Sequence, residues 1–579
     1  MADNTQVAIT ELEQDDRIDE MQKYFARALQ VESGYHKLAT DKKDQVNGVL
    51  DQLRSMRFDS ATSFQAVAES LLAPVAPDLA PYLQIALSNA QADLPQTPGV
   101  LVTYAGGTIG SAPKDPEDPD SPQVVMPWKD LKNAAPQLSA LGYPVDAISF
   151  VEPLDSCNVG PAHWRTMAQI VQQYYADYAG FVILHGTDTM PYTASALAFM
   201  LQELDKPVVV TGSQVAGIVN PRNDAHQNMI TAITLANPAA HKLPPIPEVF
   251  IAFGNRIIRG ARSKKMDVTS YQGFDSPNFP LLGECGDHIS IDRKLIRVPS
   301  TLPLAVFDRM DTHVITLEMF PGIQDADIVK RILADETLKG VVLKAYGAGN
   351  IPTQPEFLDL FGGFVQRGGI VVVVTSVPAG QVVMGLYETS QVLLDRDLIG
   401  GFDLTAEAAL CKLMVLLGSY PDDPATVKQL MQQSLVGEQG LNLLTTTYSG
   451  AGQVASGQQA DLAAVPLQSI DQVERIERVM LRLKQAQLDT GGEQYASLSL
   501  TLQDGTDLGT YRREAVLAED AVGASLAIDL TRYRDQFVSR DSGSKMGNTQ
   551  RVGFRISLSG ASGASLSWQD AELNLYAQD

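Results

Sequence analysis

Two hydroxyls and a carboxylate fall within three consecutive residues at Thr187-Asp188-Thr189. These are groups of acid–base and nucleophilic catalysis, so the turn is a candidate site. The same residue types also begin helices, where Asp188 would cap and the threonines would satisfy backbone groups. Both readings need the same neighbours, and the neighbours are present. Phe181, Val182, Ile183 and Leu184 precede the turn as an apolar run, the pattern of a strand buried on both faces. Thr193 to Leu204 follows with helical apolar spacing. Strand, polar turn and helix is the layout in which an open α/β sheet presents reactive groups at the carboxyl ends of its strands.

Three further strands end in turns of small or polar residues. Val100 to Val102 runs into Tyr104-Ala105-Gly106-Gly107-Thr108-Ile109-Gly110, whose glycines allow a tight turn and close approach to a ligand. The spacing is not GxGxxG, which argues against a dinucleotide site, and the missing P-loop lysine argues against a generic nucleotide binder. Pro153 to Asn158 and Val208 to Gln214 are the other two. Ser111 to Pro122 holds four prolines among acidic residues and reads as a lid beside the glycine turn. Arg256, Arg259, Arg262, Lys264 and Lys265 form a cationic run. Such a run is ordinarily solvated surface; here one of its cations could instead sit beside Thr187 and Asp188.

The 579-residue chain is too long for one core, and ~150 residues per domain predicts three or four. It is 45% hydrophobic and 19% charged, as a well-cored protein is, with a net charge of −24. That field repels phosphate backbones and anionic lipid, which excludes nucleic acid and membrane surfaces as expected partners. Cys157, Cys285 and Cys411 are odd in number and widely spaced, so neither a disulfide framework nor a structural metal site is expected. The N-terminus lacks a signal-peptide pattern and no apolar run has membrane-spanning length, which predicts a cytoplasmic location.

Five regions are expected. Residues 1–96 are helical, with stripes at Met21, Phe25, Ala28 and Leu29, at Val46, Val49, Leu50 and Leu53, and at Phe64, Val67, Ala68 and Leu71. Residues 97–305 and 306–440 are two α/β domains with parallel sheets. Residues 441–490 are a linker with a connecting helix at Gln472–Leu483, from the spacing of Val473, Ile476, Met480 and Leu483. Residues 491–579 show period-two alternation, as at Leu498, Leu500 and Leu502, and read as a β-sandwich-like module.

Taken together, YAGGTIG, PLDSCN, HGTDTM, TGSQ and RSKK resemble the bacterial-type L-asparaginases, and the spacing over residues 97 to about 440 is similar to the cytoplasmic type I enzymes. The resemblance implies a two-domain α/β core that hydrolyses L-asparagine to L-aspartate and ammonia. It implies no metal or organic cofactor, and a homodimer or homotetramer. It places Thr187, Asp188 and Lys265 as a proton-handling trio, Lys264 leaving that register open by one. Asp155 and Ser156 match residues that hold the substrate's α-amino and α-carboxylate groups. Gly107 and Thr108 keep the glycine turn.

One position departs. The family's primary threonine nucleophile precedes the two glycines, and here that residue is Ala105. Alanine has no oxygen with which to form an acyl-enzyme. Thr103 shares its strand face but lies ~6–7 Å back. Cys157 stands where a serine is expected, and Gln123-Val124-Val125 occupies a region that often carries a tyrosine. Loss of a nucleophile commonly costs ~10⁴–10⁶ in rate, so activity is expected to be lost or severely impaired. Three explanations of Ala105 stay open: an engineered substitution, a natural pseudoenzyme, or Thr187 acting as nucleophile with Lys265 as base. The alternative function is an inactive asparaginase-fold scaffold that self-assembles, or binds protein partners, through its terminal modules.

Overall fold

The computed structural model describes the chain apart from residues 1–6, 11, 13–24, 27–28, 31–32, 57–60, 80–97, 116–122, 136, 139–140, 216–221, 326, 383, 385–387, 467–474, 504, 514–524, 538–550 and 579. The candidate site stands on a sheet whose central strands are buried along their whole length, with a partly polar strand at its edge. The parallel strands are β1 (Val100–Gly106), β2 (Val145–Leu154), β3 (Gly180–Leu184), β4 (Val208–Thr211) and β5 (Val249–Phe253). They run parallel in the order β2-β1-β3-β4-β5, and three antiparallel strands continue beyond β5. The chain winds outward in both directions from β1, so strand order reverses between β1 and β3. In open α/β sheets that reversal opens a crevice beyond the carboxyl ends of the strands, and the glycine turn and the Thr187 turn both lie there.

Residues beyond 313 form a second parallel sheet, with Val314–Glu318, Gly340–Ala345, Ile370–Thr375 and Ile399–Gly400 in sequential order. One apolar core joins the two domains, because Ala408, Cys411 and Leu413 of helix Ala406–Ser419 pack with Ala194 and Leu197 of helix Met190–Met200. The helical N-terminal region keeps a core of its own around Phe25, Leu29, Val46, Leu50, Leu53, Phe64 and Ala68. Met21 and Ala28 of the expected stripe lie outside the described residues.

The segment expected as a linker and connecting helix is instead β-structure. The described part of 472–483 is strand β7 (Arg475–Lys484), and 472–474 lie outside the described residues. Two buried faces explain the misleading spacing. Val479, Leu481 and Leu483 point into the sandwich core, while Met480 packs on the other side against Phe402 of the second α/β domain. A bulge between Ile476 and Arg478 shifts the alternation further. The module also begins earlier than residue 491. Strand β6 (Asn442–Tyr448) pairs along its length with β8 (Asp570–Gln578), Asn442 opposite Ala577, so the module's first and last strands lie side by side.

The cationic run is not solvated surface either. Arg259 and Arg262 are buried, pairing with Glu248 at 2.6 Å and Asp403 at 2.6 Å, and both donate to the Gly437 carbonyl. They bind the first α/β domain to the second and to the segment leading into the β module.

Candidate active site

Four turns converge at the crevice. At the end of β1, Gly106 and Gly107 have φ of 112° and 85°, in the left-handed region that favours glycine. A Cβ on Gly107 would lie 2.4 Å from the Gly186 amide nitrogen, and one on Gly106 would lie 2.5 Å from that of Leu154. The glycine pair is therefore what lets the first turn touch both of its neighbours. Ala105, buried at 2% exposure, sits one residue before this contact, and Tyr104 is in register with Leu184 of β3. Thr108 opens the single 3₁₀ turn that follows and is half-buried. The described arms of the expected lid form a short hairpin, Ser111–Pro113 against Gln123–Val125; its tip, 116–122, lies outside the described residues.

At the end of β2, Asp155 caps the turn Ser156–Asn158 by accepting from the Cys157 amide at 3.5 Å. Ser156 is buried and faces the next turn. Its Oγ accepts from the Asp188 amide at 3.2 Å and its carbonyl accepts from Thr189 Oγ1 at 2.6 Å. A side chain at Gly186 would collide with Ser156, so that glycine is a packing requirement.

The third turn carries Thr187, which is buried, and Asp188, whose side chain is 62% exposed. Lys265 reaches them from across the crevice, donating to Thr187 Oγ1 at 2.9 Å and to Asp188 Oδ1 at 2.7 Å. The register between the two lysines follows from strand geometry. Lys264 and Lys265 form a two-residue strand opposite Asp275 and Phe274, so their side chains leave on opposite faces. Lys264 goes to Glu407 at 3.4 Å, which leaves Lys265 for the crevice.

Of the residues singled out by sequence, Thr187, Asp188, Lys265 and Ser156 come together in one hydrogen-bonded set, and Gly107 touches it through backbone. Asp155 stays exposed, and Thr108 makes no side-chain hydrogen bond among the described residues. Thr103 is buried, its hydroxyl unpartnered among the described residues. An exposed carboxylate at 155, another at 188 and a cation at 265 suit a small ligand carrying both charges. A hydroxyl held by an ammonium and backed by a carboxylate suits proton transfer.

Sequence reasoning missed what stiffens this set. His185 is fully buried, with Nε2 2.9 Å from Thr193 Oγ1 and Nδ1 2.6 Å from the Gly186 carbonyl. Trp164 Nε1 donates to that same Thr193 oxygen at 2.8 Å, so the hydroxyl proton is free to go to His185 Nε2. The ring then carries its proton on Nδ1 and donates it to Gly186, the residue before Thr187. Burial holds the imidazole neutral, its pKa lowered to about 4. The TGSQ turn is fixed similarly by buried Asp224, which accepts from Ser213 Oγ and the Gln214 amide, both at 2.8 Å. A buried histidine beside a polar turn was the available signal.

The comparisons identify the family that the fold belongs to. Residues 99–297 match the family model of the asparaginase N-terminal domain, and residues 313–431 match the glutaminase/asparaginase C-terminal domain. L-asparaginase 1 of Escherichia coli is 38% identical over 349 residues, covering 59% of this chain and 98% of that protein. The 60 kDa lysophospholipase of Mus musculus is 37% identical over 292 residues, half of each chain. Among solved structures, L-asparaginase I of Vibrio cholerae aligns with a TM-score of 0.52 at 34% identity, over 59% of this chain and 99% of that one. The thermostable L-asparaginase of Thermococcus kodakarensis aligns at 0.53 and 30%, with the same coverage. With both family domains matched in order, and with nearly the whole of a 38%-identical relative covered, the chain belongs to the asparaginase family.

Proposed function

We propose that the crevice binds L-asparagine or L-aspartate and that hydrolysis of L-asparagine to L-aspartate and ammonia is lost or severely impaired. In this reading Asp155 and Ser156 take the substrate's α-amino and α-carboxylate groups, and Gly107 and Thr108 line its amide end. Thr187, Asp188 and Lys265 handle protons, with no metal or cofactor. The reading carries with it a homodimer or homotetramer and a cytoplasmic location. The observation that supports it is the contrast within one crevice: Lys265 holds Thr187 and Asp188 at bonding distance, while the residue entering the facing glycine turn is Ala105. A lysine bonded to hydroxyl and carboxylate has its proton-transfer partners in place. A methyl group at 105 gives the attacking step no oxygen.

The test is ammonia release from L-asparagine, with L-aspartate binding followed by calorimetry, in this chain and in Ala105→Thr. Binding in both, with release only in the variant, is the expected result. Release by both would make Thr187 the nucleophile and overturn the account of Ala105. Absence of binding and of release in both would leave the scaffold reading. That reading draws on the separate cores of the terminal modules, and a particle larger than a tetramer would favour it.

A further inference from the structure

The sheet of the β module that holds β6, β7 and β8 turns one face to its own core and the other to the second α/β domain. Along that second face Met480, Arg482 and Lys484 of β7 stand opposite Asn574, Glu572 and Asp570 of β8. The two domains meet around Phe402, Met480 and Tyr576 and then part. The parting leaves two adjoining cavities of about 360 and 600 Å³, which share Leu394, Asp397, Lys428, Arg482 and Lys484. Together they form a cleft with walls from both domains, large enough for a small metabolite.

Three observations set this cleft apart from an ordinary seam. Arg482 is only 8% exposed, yet its Nε–H is buried with no partner among the described residues. Its remaining contacts are a hydrogen bond from Nη2 to Ser525 Oγ at 3.0 Å and Asp395 at 3.6 Å. A buried guanidinium with an unsatisfied donor pays a desolvation penalty that a ligand oxygen would remove. Lys428, on helix Pro424–Met431, faces the same space and has Asp397 at 3.6 Å, beyond hydrogen-bond length. Lastly, Asp397, Phe402 and Gln485 have φ of 61°, 49° and 50°, three of the five non-glycine residues with positive φ among the described residues. All three line the cleft. Backbone strain of this kind gathers where a site is held open.

The charges indicate the ligand. Lys484 and Arg396 are already matched, by Glu572 at 2.6 Å and Asp359 at 2.7 Å. That leaves Arg482 and Lys428, one from each domain, as the under-paired cations. Asp395 and Asp397 stand beside them, which disfavours a bare, highly charged anion. Thr447 and Gln429 add hydrogen-bonding groups along the wall. We propose that this cleft binds a small carboxylate metabolite bearing hydroxyl or amino groups. Its carboxylate bridges Arg482 and Lys428, and its occupancy ties the β module to the asparaginase core.

The test titrates the full chain with L-malate, citrate and inorganic phosphate separately, by calorimetry and by thermal melting. L-malate is expected to bind in a saturable one-to-one manner and raise the melting temperature, with citrate weaker and phosphate weakest. Lys428→Met should weaken malate binding at least tenfold, and Arg482→Met should do the same if it folds. Asp155→Ala, in the other crevice, should leave it unchanged. Failure of all three probes to bind overturns the proposal. So does unchanged binding in Lys428→Met, or binding lost only in Asp155→Ala.

Discussion

The two turns that face each other across the top of β1 and β3 have the same architecture and different contents. The Thr187 turn keeps a hydroxyl, a carboxylate and a lysine within bonding distance, and its backbone is pinned by His185 and Ser156. The glycine turn keeps its shape as fully, since Gly106 and Gly107 still make the close approaches that exclude any side chain. At Ala105, however, it ends in a methyl group. Shape and chemistry are thus separable here. Backbone contacts that hold a turn do not require the side chain that would use it.

The largest expected effect comes from closing that difference. With position 105 as the nucleophile position of the proposed function, Ala105→Thr should raise ammonia release from L-asparagine by ~10⁴–10⁶ over this chain, the usual range for restoring a nucleophile. A gain below about tenfold in a coupled ammonia assay would mean that the two turns differ by more than one side chain. The second effect uses that variant as its background. Lys265→Met added to Ala105→Thr should remove ~10²–10⁴ of the recovered rate, because it takes away the group bonded to Thr187 and Asp188. Lys264→Met should remove much less, since Lys264 leaves on the other face toward Glu407. Equal losses in the two lysine variants would contradict the strand register.

Much of this contrast was legible in the sequence, for physical reasons. Strands buried on both faces write themselves as apolar runs, so Phe181–Leu184 and Val208–Val210 place the turns that follow them. Glycines in left-handed positions mark close approaches, as Gly106 and Gly107 do. Other parts were hidden. The strand β7 carries apolar residues on both faces, because one packs on the sandwich and the other on Phe402, and that pattern imitates a helix. Arg259 and Arg262 look like surface charge until Glu248 and Asp403, distant in sequence, arrive beside them. His185 and Trp164 meet only through Thr193, a relay between three elements that local periodicity cannot reveal.

The support beneath the Thr187 turn should show itself in pH dependence. The His185 pKa is lowered to about 4, mainly by burial, from the ordinary 6.5. The unfolded chain therefore binds a proton that the folded chain refuses between those values. The contribution to stability is complete above about pH 6.5, declines as pH falls toward 4, and totals about 3 kcal/mol. His185→Gln keeps a donor and an acceptor without titrating in this range. The difference in unfolding free energy between the two chains, from denaturant titrations, should change with pH by about one proton's slope between 6.5 and 4. A constant difference would mean that the ring is charged in the folded state, and the relay from Trp164 to Gly186 would then be drawn in the wrong direction.

The smallest effect separates two roles for Ser156. Its hydroxyl accepts from the Asp188 amide, and its side chain is packed against Gly186, so it ties the β2 turn to the Thr187 turn whether or not a ligand is bound. Ser156→Ala leaves the Asp188 amide without that acceptor while keeping the carbonyl that receives Thr189 Oγ1. A loss of about 1 kcal/mol in stability is expected for one such bond. In the Ala105→Thr background the same change should raise KM for L-asparagine several-fold, because the proposed α-carboxylate contact goes with the hydroxyl. If stability falls and KM does not move, Ser156 is a tie between turns and nothing more, and the substrate's carboxylate must be held elsewhere in the crevice. If KM rises and stability is unchanged, the bond to Asp188 contributes little in the free protein, and the match between the two turns is then made by the ligand.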